Sequence, residues 1–308
     1  AVLAALPDHA RLILLGDKDQ LASGEAGAVL GRICRHAADG RYTPARCARL
    51  EQLSGQSIGT EWRDASGSPL DQAVVMLRHS YRFDEGSGIG RLAAAVNRGD
   101  PKALDEARAA GHGDLGVLDL ANVLDGAFDE LVCFGGLPDG QGLGYADYLA
   151  VMRDTRPAEG AGQGEIDEWA QRVLHAHGRF QVLCALREGP WGADGLNHRI
   201  EAGLRRAGLI GADRLWYPGR PVLVVRNRYD LGLSNGDIGV ALDVPDPRNP
   251  GHPLIRVAFP RGDGHPGVRW VLPSRLPETT TVFALTTHKS QGSEFDRVVL
   301  VLPERGSP

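Results

Sequence analysis

Long apolar runs are missing from this sequence of 308 residues. The longest, such as Val298–Leu302, falls far short of the roughly 18 positions that cross a bilayer and suits a buried strand instead, so no membrane role is expected. Cysteine is scarce and scattered. Cys34, Cys47, Cys133 and Cys184 form no Cys-x-x-Cys pair, which excludes a zinc cluster and a secreted disulfide framework, and a reducing cytoplasm is the expected setting. Basic residues are not in excess: 34 Lys and Arg against 39 Asp and Glu give a net charge of −5, so any nucleic-acid surface must be a local patch. The first residue is Ala, and no basic start precedes an apolar stretch; a signal peptide is not expected, and the chain is expected to begin mid-protein.

What is present is ordinary globular composition. Hydrophobic residues make up 42% and charged residues 24%, which excludes wholesale disorder and a coiled coil, and the length suggests two compact domains. An apolar run over Arg11–Leu15 reads as a strand, followed by a polar loop and a helix over about Ala26–Ala38, the order of a parallel α/β sheet. Thr43-Pro44 and Asp100-Pro101 are N-cap pairs, and Gly55 and Gly99 stop signals, the latter closing a helix over Gly88–Arg98. Ala73–Leu77, Phe180–Leu186, Val282–Thr287 and Arg297–Leu302 read as further strands. Between Tyr217 and Pro273, four short strands at Pro221–Arg226, Asp237–Asp243, Leu254–Phe259 and Val268–Leu272 are separated by turns with no helix, a pattern for a small inserted barrel. Asn235-Gly236 is its strongest turn signal.

Two stretches depart from the average. Asp100–Ala170 carries 15 acidic against 4 basic residues and is Gly-rich from Gly135 to Gly164, so it reads as the most loop-like part, with a solvated surface. Arg199–Arg228 carries seven Arg against Glu201 and Asp213, either a phosphate-facing surface or a plain solvated face.

Three clusters carry chemistry. Asp17, Asp19 and Gln20 follow the first strand, where ligands sit in open α/β sheets, and a Gln there can orient a water against a phosphate. His79-Ser80-Tyr81-Arg82-Phe83 offers an aromatic for a base and a guanidinium fork for a phosphate. Thr286–Asp296, TTHKSQGSEFD, packs hydroxyls, Lys289, Gly292 and Glu294 into one loop after a strand; such groups hold phosphates and ribose hydroxyls. Each taken alone is also an ordinary polar loop or a buried aromatic pair. His288 has no second ligand at metal spacing, so no metal site is expected.

In this order the clusters resemble the motor core of superfamily 1 DNA helicases, specifically the RecD family, the alpha subunits of exodeoxyribonuclease V. GDKDQLASGEAGAVLG (Gly16–Gly31) resembles that family's third motif, YRF with SGIGRLAAAVNRGD its fourth, and TTHKSQGSEFD its fifth. FQVLCALREGPWGADGLN and NGDIGVALD are also RecD-like, and the resemblance runs from about residue 1 to 303, thinning in the acidic middle. Gly24 departs from the β-branched residue usual there. No G-x-x-x-x-G-K-[ST] phosphate loop occurs, and the family's magnesium-binding Asp-Glu motif and Arg-rich sixth motif are not found either.

The resemblance implies RecA-like motor domains of P-loop NTPase type, each a parallel sheet with flanking helices, and an inserted small SH3-like β-barrel. The expected divisions are 1–72, the end of a first motor domain; 73–216 and 276–308, a second; and 217–275, the barrel. The implied activity is ATP-dependent 5′–3′ DNA unwinding within a RecBCD-type nuclease in double-strand break repair and recombination. By the same resemblance Gln20 and Arg82 are catalytic, and Asp17, Gln20, Tyr81, Arg82, Gly292 and Glu294 bind ATP. Thr287, His288, Lys289, Ser290 and Asn235 bind DNA. Magnesium ligands are expected outside this sequence, which alone is expected to be inactive. The implied partners are single-stranded DNA, duplex ends, and RecB- and RecC-like subunits; the alternative is a non-catalytic DNA- or protein-binding module.

Overall fold

The computed structural model describes residues 5–7, 9–17, 25–77, 83–84, 86–136, 142–211, 214–246, 249, 251–261 and 267–303. They fall into two compact units, Ala1–Leu118 and Asp119–Pro308. The expected division after residue 72 lies inside the first unit.

The first unit is helical where it is described. Local signals decide its helices: α1 (Glu25–Ile33), α2 (Pro44–Ser54), α3 (Gly88–Arg98) and α4 (Pro101–Ala109). Thr43 accepts a hydrogen bond from the Arg46 amide, Pro44 occupies the first turn, and Gly55 ends α2 at φ +70°, a left-handed conformation that favours glycine. Ser87 and Asp100 cap α3 and α4 in the same way. Asp114 reaches back to the start of α3, accepting from Ser87 Oγ at 2.7 Å and from the Gly88 amide at 2.8 Å.

Two expected strands do not form. Arg11–Leu15 is irregular, with Ile13 80% and Leu15 92% exposed, and residues 74–77 are irregular with Leu77 91% exposed. The physical reason is the lack of a ladder: the only β pairing among the described residues of this unit is the isolated Tyr42–Arg63 bridge. An apolar run becomes a strand only with a neighbour to bond to. Gln20, Tyr81 and Arg82 lie outside the described residues.

The second unit holds both sheets. Helices α5 (Gly126–Phe134), α6 (Tyr145–Asp154) and α7 (Gln163–Gly178) lead into β1 (Phe180–Cys184), and α8 (Ala193–Arg206) follows. After an antiparallel segment come β7 (Ala284–Thr286) and β8 (Arg297–Val301). These make a parallel sheet in the order β7-β1-β8, with Val182 opposite both Ala284 and Val299. The parallel sheet with flanking helices expected from the sequence is present.

The antiparallel segment comprises β2 (Pro221–Val224), β3 (Ile238–Val244), β4 (Leu254–Pro260), β5 (Val268–Val271) and β6 (Thr279–Thr281), in the order β5-β4-β3-β2-β6. It is an antiparallel sheet in the place expected for the barrel; β6 has no counterpart among the expected strands. Along β3 the side chains alternate between two cores. Ala241 joins Val222, Val257 and Phe259 inside the sheet, whereas Val240, Leu242 and Val244 join the cluster of Ile166, Trp169 and Val173 on α7. Trp270 adds a hydrogen bond from Nε1 to Asp167 on α7 at 2.7 Å.

The acidic Gly-rich stretch is therefore not a solvated loop. It supplies Phe128, Val132, Tyr145, Tyr148, Leu149 and Trp169, all at most 2% exposed. Its carboxylates stay on the outer faces or cap helices, as Asp125 does for α5 and Asp147 for α6. The helices' apolar positions were outweighed by composition averaged along the stretch.

His177, at the end of α7, is packed between Tyr145 (6.2 Å between ring centroids) and Tyr148 (5.0 Å), with Nε2 buried and unpartnered among the described residues. Burial pushes its pKa down from 6.5 to about 4. The unfolded chain takes up this proton first, so the histidine's contribution is complete above about pH 6.5 and is lost as pH falls toward 4. The loss should approach about 3 kcal/mol at pH 4. Urea unfolding between pH 7 and 4 should show that dependence, and His177→Phe should flatten it by a corresponding amount.

Candidate functional site

In a parallel sheet every strand ends at one edge, and the connecting loops gather there. Here the carboxyl edge carries residues 185–192, after β1, and the loop Thr287–Asp296, after β7. The approach to that second loop is held by side chains from three elements. Tyr145 on α6 donates its hydroxyl hydrogen to the Phe283 carbonyl, which also accepts from Gln181 Nε2 on β1 at 2.9 Å. Burial holds the Tyr145 phenol well above its ordinary pKa, so it remains a donor.

Asn197 on α8 completes the clamp. Its Oδ1 accepts from the amides of Phe283 (2.6 Å) and Ala284 (2.9 Å), and its Nδ2 donates to the carbonyls of Ala193 (2.8 Å) and Ala284 (3.0 Å). Both lone pairs and both amide hydrogens are thus used. Cys184 Sγ points to the Leu285 carbonyl at 3.4 Å, and burial pushes its thiol up to about 11, so it serves as packing rather than as a nucleophile.

Beyond the clamp the chain turns through one short 3₁₀ segment, Thr287–Ser290. Ser290 Oγ donates to the Thr287 carbonyl at 2.9 Å, closing the turn. His288 and Lys289 are exposed, and Thr287 and Ser290 are half-buried beneath them. Gly292 sits at φ +82°, where a side chain would be strained, and Glu294 is exposed in the same loop. The loop closes on an ion pair of Asp296 with Arg179, 2.6 Å, which binds it to the amino end of β1. Hydroxyls, an ammonium and an imidazole on one exposed turn can donate to phosphate oxygens, while a carboxylate two residues past a glycine can accept from a sugar hydroxyl.

The other expected site residues are spread further. Asn235 is exposed in the β2–β3 hairpin, on a separate loop, beside Gly236 at φ +101°. Asp17 is exposed in the irregular segment of the first unit. The structure thus brings together Thr287, His288, Lys289, Ser290, Gly292 and Glu294. Sequence reading missed Tyr145, Gln181 and Asn197, whose signal was weak: polar side chains on otherwise apolar faces, with Gln181 and Asn197 inside the RecD-like FQVLCALREGPWGADGLN.

Several arginines of the Arg199–Arg228 stretch are engaged within the protein. Arg199 donates to Asp129 Oδ1 and to the carbonyls of Val123 and Asp125, and lies 4.4 Å over the Phe128 ring. Arg205 pairs with Glu201, and Arg226 with Glu278. Arg220 is buried, donates to Thr281 Oγ1 and the Leu215 carbonyl, and stacks on Trp216 at 4.6 Å. Arg199 and Arg220 thus hold elements together, Arg205 pairs within α8, and Arg226 stays largely exposed beside Glu278.

The residues present do not fit the metal-bound end of a nucleotide site. No group of three His, Cys, Asp or Glu side chains that could hold a metal ion occurs among the described residues, and the sequence has no phosphate loop. Nor is any described helix long and apolar enough to cross a membrane.

Comparison with known proteins bears out the sequence resemblance. The chain is 31% identical over its full length to the RecBCD enzyme subunit RecD of Haemophilus influenzae, covering 44% of that protein. It is 33% identical over 98% of its length to the Mycobacterium tuberculosis RecBCD enzyme subunit RecD, covering 42%. The ATP-dependent RecD2 DNA helicase of Deinococcus radiodurans is 26% identical, with 31% of its length covered. The chain spans less than half the length of these curated relatives. No family model matches. Among solved structures, the crystal structure of Bacteroides Pif1 bound to ssDNA is similar at 13% identity and a TM-score of 0.22, over 49% of this chain and 38% of that one.

The clamp gives a direct test. Replacing Asn197 with Ala leaves two amides and two carbonyls to find other partners, a cost of about 2–3 kcal/mol. A lower thermal midpoint is therefore expected for Asn197→Ala, together with faster hydrogen exchange at the Phe283 and Ala284 amides. Lys289→Ala, on the exposed turn, should leave both unchanged.

Proposed function

We propose that this chain is part of a RecD-type ATP-dependent DNA helicase subunit. The single observation that carries the reading is the Thr286–Asp296 loop, a helicase-like segment in sequence, held by the clamp at the carboxyl edge of a parallel sheet. Similarity along nearly the whole of this chain to part of RecD subunits supports it.

In this reading the loop works by division of labour. Thr287, His288, Lys289 and Ser290 donate to the backbone of single-stranded DNA, while Gly292 and Glu294 lie by the nucleotide sugar. Gln20 senses the γ-phosphate, Arg82 contacts it, Tyr81 stacks near the adenine, and Asp17 lies by the nucleotide. Asn235 contributes from the antiparallel segment. ATP supplies the driving reaction when bound, with magnesium held by residues beyond those in this chain. Residues 1–72 are then the end of a first motor domain, 73–216 with 276–308 a second, and 217–275 its insertion. Hydrolysis that alters the separation of two motor domains moves the strand, in the 5′–3′ direction. The setting is a RecBCD-type exodeoxyribonuclease V in the cytoplasm, processing duplex ends in break repair and recombination beside RecB- and RecC-like subunits. The exposed apolar runs 12–15 and 74–77 fit the same reading, because a longer protein would supply strands to pair with them.

A second reading rests on one observation. With no phosphate loop in the sequence, the chain is a non-catalytic helicase-like module that binds DNA or protein.

ATPase measurements on the full-length gene product, with and without single-stranded DNA, separate the two. DNA-stimulated turnover is expected, falling at least 100-fold in Gln20→Ala and Arg82→Ala, the scale on which groups that position water or stabilise phosphoryl charge act. The 308-residue chain by itself should show no turnover. Absence of turnover in the intact protein selects the binding module.

A further inference from the structure

The fifth-motif loop joins two strands that are not neighbours. In the order β7-β1-β8 the central strand lies between them. Because all three run parallel, the chain leaves β7 at the carboxyl edge and enters β8 at the amino edge. The loop therefore travels the length of β1, and at roughly 3.3 Å per residue its two ends stand about 13 Å apart along that strand.

Each end has its own anchor. Thr287–Ser290 follows directly on Phe283–Ala284, whose amides and the Ala284 carbonyl are bonded by Asn197. At the other end Asp296 accepts from Arg179 Nε at 2.6 Å, and the next amide, that of Arg297, donates to the Arg179 carbonyl at 3.0 Å. The anchors differ in kind. Asn197 is half-buried and bonds only peptide groups. The side chains of Arg179 and Asp296 are 45% and 57% exposed, and a pair so open to solvent adds little to stability. What it does supply is geometry, since it fixes the end of the loop against the start of the central strand.

The loop is also divided between its anchors. Its first half is closed on itself, by Ser290 Oγ on the Thr287 carbonyl and by the Ser293 amide on the Ser290 carbonyl at 3.0 Å. Gly292 has a left-handed φ of +82° and open space where a side chain would stand. Its backbone conformation, rather than crowding, is what favours glycine there. Glu294 lies past it, two residues before Asp296.

We propose that the two anchors serve the two ligands separately. Asn197 is the positioning residue for the DNA strand, through Thr287–Ser290, and Arg179 with Asp296 is the positioning pair for the nucleotide, through Gly292 and Glu294. This rests on the helicase reading, which assigns strand and nucleotide to the two halves of the loop. Gly292 is the joint between the halves, so loosening one end weakens the hold on one ligand.

The test is steady-state ATPase of the full-length gene product, with oligothymidylate varied at saturating ATP and then ATP varied at saturating oligothymidylate. Asn197→Ala and Asn197→Asp should raise the half-saturating oligothymidylate concentration about tenfold and change KM for ATP by less than about twofold. Arg179→Gln and Asp296→Asn should do the reverse, raising KM for ATP about tenfold with the oligothymidylate constant within about twofold of wild type. Exchanging the pair, Arg179→Asp with Asp296→Arg, should bring KM for ATP back to within about twofold of wild type. A loss of stability alone would move both constants or neither. Asn197→Asp keeps acceptor oxygens for the Phe283 and Ala284 amides, and Arg179 and Asp296 are exposed, so the proposal is read out even if Asn197→Ala folds poorly. Both constants rising together in either set of variants, neither rising, or no recovery in the exchanged pair overturns the proposal and leaves the helicase reading standing. Absence of DNA-stimulated turnover in the wild type overturns the helicase reading itself, and the proposal with it.

Discussion

The backbone at Phe283–Ala284 is where the second unit is tied together. Two peptide groups there bond to a helix before the parallel sheet (Tyr145), to the central strand (Gln181) and to the helix after it (Asn197). A short strand such as β7, with three residues, gains little from its own ladder. Side-chain bonds from neighbouring elements fix its register, because the buried amides and carbonyls there are answered by Tyr145, Gln181 and Asn197 and a slip would strand several of them. The loop that follows inherits that precision, so His288 and Lys289 project from a fixed base although they themselves are exposed. In proteins that handle nucleic acid this separation is useful: rigid backbone below, solvated donors above.

Local chemistry was legible in the sequence and pairing was not. Thr43-Pro44, Ser87, Asp100-Pro101, Gly55 and Gly99 act within one helical turn, so their meaning does not depend on the rest of the chain. The strands of the second unit other than β6 were also placed to within a few residues, since apolar runs bounded by Gly, Pro and Asn had neighbours to meet. Arg11–Leu15 has the same pattern and stays irregular, because apolar character says that a segment needs covering and not what covers it. In the acidic stretch the opposite error arose. Net charge and glycine content averaged over Asp100–Ala170 obscured Phe128, Tyr145, Tyr148 and Trp169, which three separate helices bury in one core.

The candidate site divides along the same line. The fifth-motif loop was identified as a string of residue types, and the structure gathers its members on one turn. Asn197 and Gln181 could not be read as clamps, because their partners lie 86 and 102 residues away. The seven arginines of Arg199–Arg228 show the converse: a count of charges suggested a phosphate surface, yet Asp129, Glu201 and Glu278 answer several of them.

The double-sided burial of β3 sets an order of assembly. Its Val240, Leu242 and Val244 belong to the same core as Trp169 and Val173 on α7, a helix completed some sixty residues earlier, so neither surface is finished until the other has been made. During synthesis α7 therefore emerges with an uncovered apolar face and must wait for the hairpin strands, while the parallel sheet waits longer still, for β7 and β8. The strands β2–β6 lie between β1 and β7 in chain order but form a structural wall by packing. Excising them would not return a simpler version of the unit; it would leave Trp169 and its neighbours facing water, and a chain with a new reason to aggregate.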